Sequence, residues 1–446
     1  MVTNHPGFGG SHLPDVTVVS PVFEQGGSEV IAFVANRAHH AEIGGKAPGS
    51  MPGDGRVLSD EGVILSPFLL VEEKKNHLDE FERRLSAARY PSRSPQENLA
   101  DLQAQVAANQ AGISALEALQ DEAGGEEVQQ VLSALYQRGK ESFRKGWSSL
   151  RGKRELGQIL GEASDQLDDG ASITVAMKVS PSGGLKVDFT ESSACHEGNL
   201  NAPEGVTRSA VLYALRVWLA EDIPLNEGLL DSVEIQAEET FLSPNFEGNE
   251  EQCPAVVGGN VETSQRVVEL VLRALGVMAE SQGTMNNFLF GNDRFGYYET
   301  IGGGSGGSQY GAGASGVHVH MTNTAITDPE VLEHRFPVKL HCFSLRRESG
   351  GAGASPGGDG LVREFEFCEA MTVSFLTQHR VAGPRGFAGG ESGKPGWQGR
   401  LLEGQDEGSE PVWEELPGIG SFEVSPGTRI RIETPGGGGF GAFLQR

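Results

Sequence analysis

Residues 15–23, DVTVVSPVF, and residues 29–36, EVIAFVAN, decide how the chain begins to fold. Both segments are rich in valine and other residues that favour strands, and the turn-forming sequence EQGG separates them. The pattern predicts two strands that form an antiparallel hairpin centred near residue 26.

The open end of this hairpin collects imidazole and carboxylate groups. In an antiparallel pair centred near residue 26, the numbers of facing residues add up to about 52. His12 is therefore predicted to lie opposite His40, and Asp15 opposite Arg37. Groups that are distant in the sequence would converge there.

These side chains could form a metal or catalytic site. Because side chains alternate along an extended chain, we expect His40 and Glu42 to share a side while His39 points away. Imidazole nitrogen and carboxylate oxygen suit Zn²⁺, Mn²⁺ or Fe²⁺. The alternative is that polar residues at two loop ends satisfy one another with hydrogen bonds. The candidate metal ligands are His12, Asp15, His39 and His40.

Between residues 95 and 165 the pattern changes to that of helices. Apolar residues recur at steps of three and four from Leu99 to Leu116, which predicts one buried stripe. A second apolar stretch follows the break at Gly124-Gly125, so we predict a helical hairpin. Asn109 lies on the first stripe, where a buried polar group that fixes the register is a better interpretation than a ligand.

The rest of the chain mixes strands, helices and glycine-rich loops. Strands are predicted within 172–190, and helices at 206–220 and 262–279. Beyond residue 284 short strands alternate with glycine-rich stretches, and residues 350–360 are expected to be a mobile loop. Further strands are predicted at 297–301, 317–321, 362–368, 370–377 and 428–433.

The predicted fold class is mixed α/β (α+β), with β-rich N- and C-terminal parts, an inserted helical hairpin and glycine-rich loops. The expected parts are a β-rich segment with the site motifs (1–70), the helical hairpin (95–165), a central α/β part (170–345) and a β-rich C-terminal part (346–446).

Two later motifs add candidate catalytic residues. His318 and His320 stand in GVHVHM, where a strand would present both on one face, although a solvated strand face explains the pattern too. Asn260 and Glu262 open a predicted helix whose free N–H groups could hold an anion; a well-capped helix start is the alternative. The candidate catalytic residues are His40, Glu42, Asn260, Glu262, His318 and His320.

Charge and cysteine usage exclude several classes of partner. Lys and Arg number 35 against 61 Asp and Glu, a formal net charge of −26, which repels phosphate backbones and anionic lipid. We therefore expect neither nucleic acid nor a membrane as partner. The four cysteines form no C-x-x-C pair, which fits a reducing compartment. No signal peptide or membrane-spanning apolar run is visible, so we expect a cytosolic protein.

The glycine motifs do not predict a nucleotide site. G-x-G-x-x-G occurs at 302–307, 311–316 and 436–441, but never between a strand and a helix as dinucleotide binding requires. Ser305 stands in a G-x-S-x-G string whose all-glycine flanks give it no rigid turn. The sequence contains no G-x-x-x-x-G-K-[ST] phosphate loop either. We therefore expect no ATP site in this chain.

Ten strings in order along the sequence carry a resemblance to a known family. They are GGSHLPDVTVVSPVF, RAHHAEIGGKAPGSMP, ENLADLQAQVAANQAGI, GNLNAP, VVGGNVETSQRVV, QGTMNNFLFGN, GYYETIGGG, GVHVHMTNTAITDPEVLE, PGGDGLVREFEF and TPGGGGFG. The chain resembles the hydantoinase B/oxoprolinase family and, within it, the C-terminal, B-type half of the eukaryotic 5-oxoprolinases. Because the strings cover nearly the whole chain, the match is more specific than any single motif above.

The resemblance implies ATP-driven hydrolysis of a small-molecule lactam, 5-oxo-L-proline, to L-glutamate with release of ADP and phosphate. It implies that an A-type half absent from this chain binds ATP and Mg²⁺. The chain would then need an A-type partner, form a homo- or hetero-oligomer, and be inactive alone. The residues that would line a polar or metal-assisted centre are His12, Asp15, His40 and Glu42, with Asn260, Glu262, His318 and His320 as a second wall.

Other interpretations stay open. Because the sequence begins almost on the first motif, we expect a B-type region truncated at its N-terminus. The chain could be the B-type component of a hydantoinase or carboxylase that acts on another cyclic amide or ketone, which a comparison of substrates would reveal. It could also be a non-catalytic partner of the A-type component, or a truncated, inactive remnant that aggregates when expressed alone.

Overall fold

The computed structural model describes residues 1–24, 27–72, 75–222, 225–402 and 411–442. Within these ranges, strands dominate both ends of the chain and the long helices lie between them. The predicted mixed α/β class is confirmed.

The strands are β1 (Val2–Thr3), β2 (Asp15–Phe23), β3 (Val30–His39), β4 (Val71–Glu72), β5 (Lys75–Asn76), β6 (Ile159–Gln166), β7 (Ser172–Val179), β8 (Leu185–Asp188), β9 (Val233–Gln236), β10 (Asn287–Gly291), β11 (Gly296–Glu299), β12 (Val338–Arg346), β13 (Gly360–Phe367), β14 (Met371–Leu376), β15 (Trp397–Leu401), β16 (Trp413–Glu415), β17 (Ile419–Val424) and β18 (Arg429–Glu433).

The α-helices are α1 (Leu58–Glu61), α2 (Leu78–Ala87), α3 (Pro95–Ala123), α4 (Gly125–Arg151), α5 (Glu204–Leu219), α6 (Ser264–Ala274) and α7 (Pro329–Arg335). Shorter helical turns are the 3₁₀ segments Pro6–Phe8, Glu227–Leu230 and Glu250–Gln252 and the π-helical turn Gly259–Thr263.

The hairpin of β2 and β3 forms as predicted, but in a different register. Asp15 pairs with His39 rather than with Arg37, which pairs with Thr17. The predicted pairing was wrong by two residues because it placed the centre of the hairpin near residue 26, whereas these pairs are centred near residue 27. An irregularity between Val22 and Phe23 shifts the register near the turn.

A buried row of amide side chains fixes α3 against this hairpin. Gln105 Nε2 donates to the Val16 carbonyl at 2.8 Å, and Asn109 Nδ2 donates to the Val18 carbonyl at 3.1 Å. Asn36 Nδ2 of β3 donates in turn to Asn109 Oδ1 at 2.7 Å. Asn109 is 1% exposed, so its predicted role as a buried polar group is confirmed.

The helical hairpin consists of α3 and α4, which meet at Gly124 as the glycine break predicts. The second helix ends earlier than expected, at Arg151, and residues 159–166 form β6 instead. Side chains of β7 alternate between buried and half-buried, which is typical of a strand that covers a core on one face.

The main core lies between the sheet β6-β7-β8-β9 and the helices α5 and α6. The helix α5 buries Val206, Ala210 and Ala214 at helical spacing, whereas every residue of α6 from Ser264 to Leu272 is buried. A second core joins the remaining two large sheets through clustered phenylalanine rings, including Phe288 and Phe365 with centroids 4.8 Å apart.

The glycine-rich segments pack backbone against backbone. The Gly437 amide donates to the Gly358 carbonyl at 2.9 Å, and the Gly358 amide to the Ser305 carbonyl at 2.9 Å. A Cβ atom on Gly304 would lie 1.9 Å from the Gly358 oxygen. Residues 350–360 are thus part of a hydrogen-bonded layer, and the expectation of a mobile loop was wrong.

Residues 317–321 do not form the predicted strand. Val317 makes a single bridge with Gly303, and the chain then turns, with His320 in the left-handed region at φ 51°. His318 and His320 consequently do not share a strand face.

Among the described residues, the helices are too short or too polar to cross a lipid bilayer.

Replacing Gly304 by alanine should destabilise the fold strongly, because the new Cβ meets backbone atoms that cannot rotate away. We expect a loss of about 3 kcal/mol or more in urea unfolding. Gly125→Ala is the matched control, since only the Gln120 side chain lies within 4 Å of its Cβ position. That variant should be unchanged or slightly more stable. Equal stability of both variants would contradict the packing described here.

Candidate active site

A cleft of about 660 Å³ opens beside the end of the β2–β3 hairpin. Its walls come mainly from the loop before β2, the end of β3, the start of α5, the π-helical turn, the end of β11 and the segment 321–324. Residues on these walls that bear on chemistry are His12, Asp15, Arg37, His39, Arg208, Glu227, Asn260, Tyr298, Thr300 and Asn323.

His12, Asp15 and His39 meet at one side of the cleft. His12 Nε2 and His39 Nδ1 each lie 3.1 Å from Asp15 Oδ1, and Ser11 Oγ donates to Asp15 Oδ2 at 2.5 Å. Strand pairing brings His39 across from Asp15. A turn before β2, with the Asp15 amide donating to the His12 carbonyl at 3.0 Å, brings His12 to the same side.

The electrostatics of this trio keep Asp15 ionised. Burial alone would raise its pKa, but the charges and hydrogen bonds of His12 and His39 outweigh burial and hold the pKa well below its usual range. One ligand atom from each of the three residues lies within 4.8 Å of the others. Two imidazoles and an ionised carboxylate are a donor set that fits a divalent transition metal.

Other residues of the cleft offer neutral hydrogen-bonding groups. Tyr298 packs against His39 with ring centroids 5.7 Å apart, and its hydroxyl donates to Asn287 Oδ1 at 2.8 Å. Asn260 and Asn323 line the cleft, and within the described ranges their side-chain amides have no protein partner. Such amides could hold the polar edge of a ligand.

Two residues that were expected in the site lie behind it. His40 is fully buried, with Nε2 3.2 Å from Gln105 Oε1 and Nδ1 3.1 Å from Asn98 Nδ2. Burial lowers its pKa. The carboxylate of Glu42 accepts from the Gly44 amide at 2.6 Å and pairs with Arg93 at 3.0 Å. The expectation that His40 rather than His39 faces His12 was wrong.

The residues predicted to form the second wall do not all reach the cleft either. Asn260 reaches the cleft, but Glu262 points inward and accepts from the Met285 amide and from Asn287 Nδ2, at 2.9 and 2.7 Å. His318 Nε2 lies 3.0 Å from the hydroxyl of Thr300, a residue that lines the cleft. The side chain of His320 is buried, and its Nε2 lies 4.0 Å from a carboxylate oxygen of Glu269.

The family described as hydantoinase B/oxoprolinase matches residues 1–443. The chain belongs to this family. It is 44% identical over 465 residues to a protein named 5-oxoprolinase 1 from Arabidopsis thaliana, an alignment that covers 100% of this chain and 35% of that protein. The chain thus spans about a third of the length of this relative.

Solved structures with the same fold belong to ATP-dependent enzymes. An ATP-dependent caprolactamase from Pseudomonas jessenii has a TM-score of 0.80 at 23% identity, and covers 100% of this chain and 77% of its own. A nucleotide-free acetone carboxylase has a TM-score of 0.82 at 16% identity, with 99% of this chain and 64% of its own covered. At these identities the likeness concerns the fold.

This hydantoinase B/oxoprolinase chain also contains a buried charged cluster that sequence reasoning missed. Asp165, Glu280 and His379 bring ligand atoms within 4.8 Å of one another. Arg266 pairs with Asp165, and Arg385 binds Glu280 at 2.6 Å, so guanidinium groups already neutralise both carboxylates. The three residues lie about a hundred positions apart in sequence, so no spacing could have revealed them.

Protonation of Glu262 should make stability depend on pH. Burial raises its pKa to about 8, although hydrogen bonds from Thr284 and Met285 oppose this. Because the pKa is raised on folding, the proton contributes stability that is fully present below pH 4.5 and is lost as pH rises through 8.

Glu262→Gln, which keeps the shape of the protonated acid, should therefore become more stable than the wild type at pH 9. We expect a difference of a few kcal/mol, since one pKa unit corresponds to about 1.4 kcal/mol. Urea unfolding of both proteins at pH 5 and pH 9 measures it. An identical pH dependence of the two proteins would mean that Glu262 is not the titrating group.

Proposed function

We propose that this chain is the B-type half of an ATP-dependent cyclic-amide hydrolase that converts 5-oxo-L-proline to L-glutamate. The observation that carries the proposal is the meeting of His12, Asp15, His39 and Asn260 in one cleft, within a chain 44% identical to a protein named 5-oxoprolinase 1. The described residues contain no phosphate loop of the G-x-x-x-x-G-K-[ST] type, so ATP and Mg²⁺ belong to an A-type partner.

The chemistry explains why such a reaction needs ATP. A five-membered lactam is a stable amide, and phosphorylation of its oxygen gives an activated imidate that water can open. In this chain, the free amide of Asn260 would hold the lactam by hydrogen bonds. The ionised Asp15 would orient the attacking water through its histidine partners.

A divalent metal fits beside these groups. The residues that would hold it are His12, Asp15 and His39, which offer nitrogen and oxygen donors within 4.8 Å of one another. Zn²⁺, Mn²⁺ or Fe²⁺ would polarise a bound oxygen and make water more acidic. Of the two His12 nitrogens, Nε2 is the one that lies beside Asp15, at 3.1 Å from Oδ1.

The metal content of two variants distinguishes the roles of the neighbouring residues His39 and His40. His39→Ala should lose at least most of the bound metal, because it removes one of three ligands. His40→Ala should keep the metal but unfold at lower urea concentration, since it removes a buried ring that contacts Asn98 and Gln105. Elemental analysis of the purified proteins after dialysis against Mn²⁺ or Zn²⁺ gives the readout. Metal loss only in His40→Ala would overturn this assignment.

The activity test uses this chain mixed with a separately expressed A-type half. We expect ATP hydrolysis that depends on 5-oxoproline, with phosphate and glutamate released in equal amounts, and none from this chain alone. His39→Ala should reduce the rate at least about a hundredfold, the loss typical of a general base or metal ligand. ATP hydrolysis without glutamate would count against the proposal.

The alternatives predict different results in the same assay. A relative from a Pseudomonas strain, 26% identical and named as one component of a putative D-/L-hydantoinase, supports testing hydantoins beside 5-oxoproline. If the complex turned over a hydantoin but not 5-oxoproline, the hydantoin would be the substrate instead. A complex that forms but turns over neither compound would indicate that this chain is a non-catalytic partner. The described cysteines are all free, which agrees with the cytosolic location that we propose.

A further inference from the structure

Arg37 stands next to the His12–Asp15–His39 trio and has no role in it. It precedes His39 by two residues in β3, so both side chains project from the same face of the strand. Its guanidinium is held by neutral acceptors: Nε donates to Thr17 Oγ1 at 2.9 Å, and Nη2 donates to the Gly9 carbonyl at 2.6 Å. These bonds fix the group and leave further N–H donors free.

The other charges of the cleft are paired. Arg208 Nη2 lies 2.5 Å from Glu227 Oε2, and Asp15 is shared between two histidines. Among the residues that the structure describes, Arg37 has no carboxylate within ion-pair distance, although it lines the cleft. The cleft therefore keeps a fixed positive charge in a chain whose formal net charge is −26.

We propose that Arg37 binds the carboxylate of the substrate and makes the site select anionic lactams. The inference rests on the function proposed above. A planar guanidinium with parallel N–H groups matches a carboxylate, and a charge-assisted pair of this kind is stronger than a neutral hydrogen bond. A chain with a formal net charge of −26 repels a free anion overall, so a local cation is needed to hold one.

The position of Arg37 suits this role. Two residues on one strand face have Cα atoms about 7 Å apart, a separation that a five-membered ring bearing a carboxylate can bridge. With its carboxylate on Arg37, the ring presents its amide to the trio around Asp15. A neutral lactam such as caprolactam would not gain this charge-assisted pair, so the site would bind it less tightly.

The test compares Arg37→Gln and Arg37→Lys with the wild type, each assembled with the A-type half. In the Gln variant we expect KM for 5-oxoproline to rise about tenfold or more while kcat changes much less, since the lost contact is present in both the bound and the reacting state. The Lys variant keeps the positive charge but lacks the parallel N–H groups of a guanidinium. Its KM for 5-oxoproline should therefore rise less than that of the Gln variant. The matched control Arg400→Gln, which removes an exposed arginine paired with Glu414, should leave KM unchanged.

A second measurement removes the substrate charge instead. The analogue of 5-oxoproline in which a carboxamide replaces the carboxylate has no anionic group for Arg37 to bind. It should therefore inhibit the wild type and Arg37→Gln about equally. An unchanged KM in Arg37→Gln, or equal losses in the Gln and Lys variants, would overturn the role of Arg37 while leaving the proposed function standing. A wild-type complex that fails to turn over 5-oxoproline would overturn the proposed function, and this inference with it.

Discussion

The antiparallel pairing of β2 with β3 is the constraint on which the site depends. It sets Asp15 against His39 at the open end of the hairpin. The helix α3 holds that register by donating side-chain amides to carbonyl groups of β2. A register shift would leave those buried carbonyls without partners, at a cost of about 1–3 kcal/mol for each. The helical hairpin thus supports the site without entering it.

Polar groups near the site fall into two electrostatic classes. In the cleft, Asp15 stays ionised because histidines surround it, and the guanidinium of Arg37 donates to neutral oxygens. Behind the cleft, burial raises the pKa of Glu262 to about 8 and that of Glu269 well above its ordinary value. Charge is therefore available where a ligand can reach it, whereas burial favours the neutral form of Glu262 and Glu269 behind the cleft.

Local patterns predicted the parts of the fold that local physics controls. The helical hairpin follows from a stripe with a period near 3.6 and a glycine break, and Asn109 follows from its place on that stripe. Patterns failed where distant backbone decides the conformation. The strand expected at 317–321 became a turn, and the glycine-rich stretch 350–360 became a packed layer, because other segments of the chain provide their hydrogen bonds.

The sequence by itself determined the family, the mixed α/β class, and the presence of His12, Asp15 and His39 near the ends of two strands. Only the tertiary structure decided which of two adjacent histidines faces the cleft. The turn before β2 interrupts the alternation of side chains, so His12 joins the face of Asp15 and His39, while His40 turns inward to α3. Side chains alternate between the two faces only within a continuous strand. The sequence does not reveal where a strand ends, because hydrogen bonds from distant residues decide this.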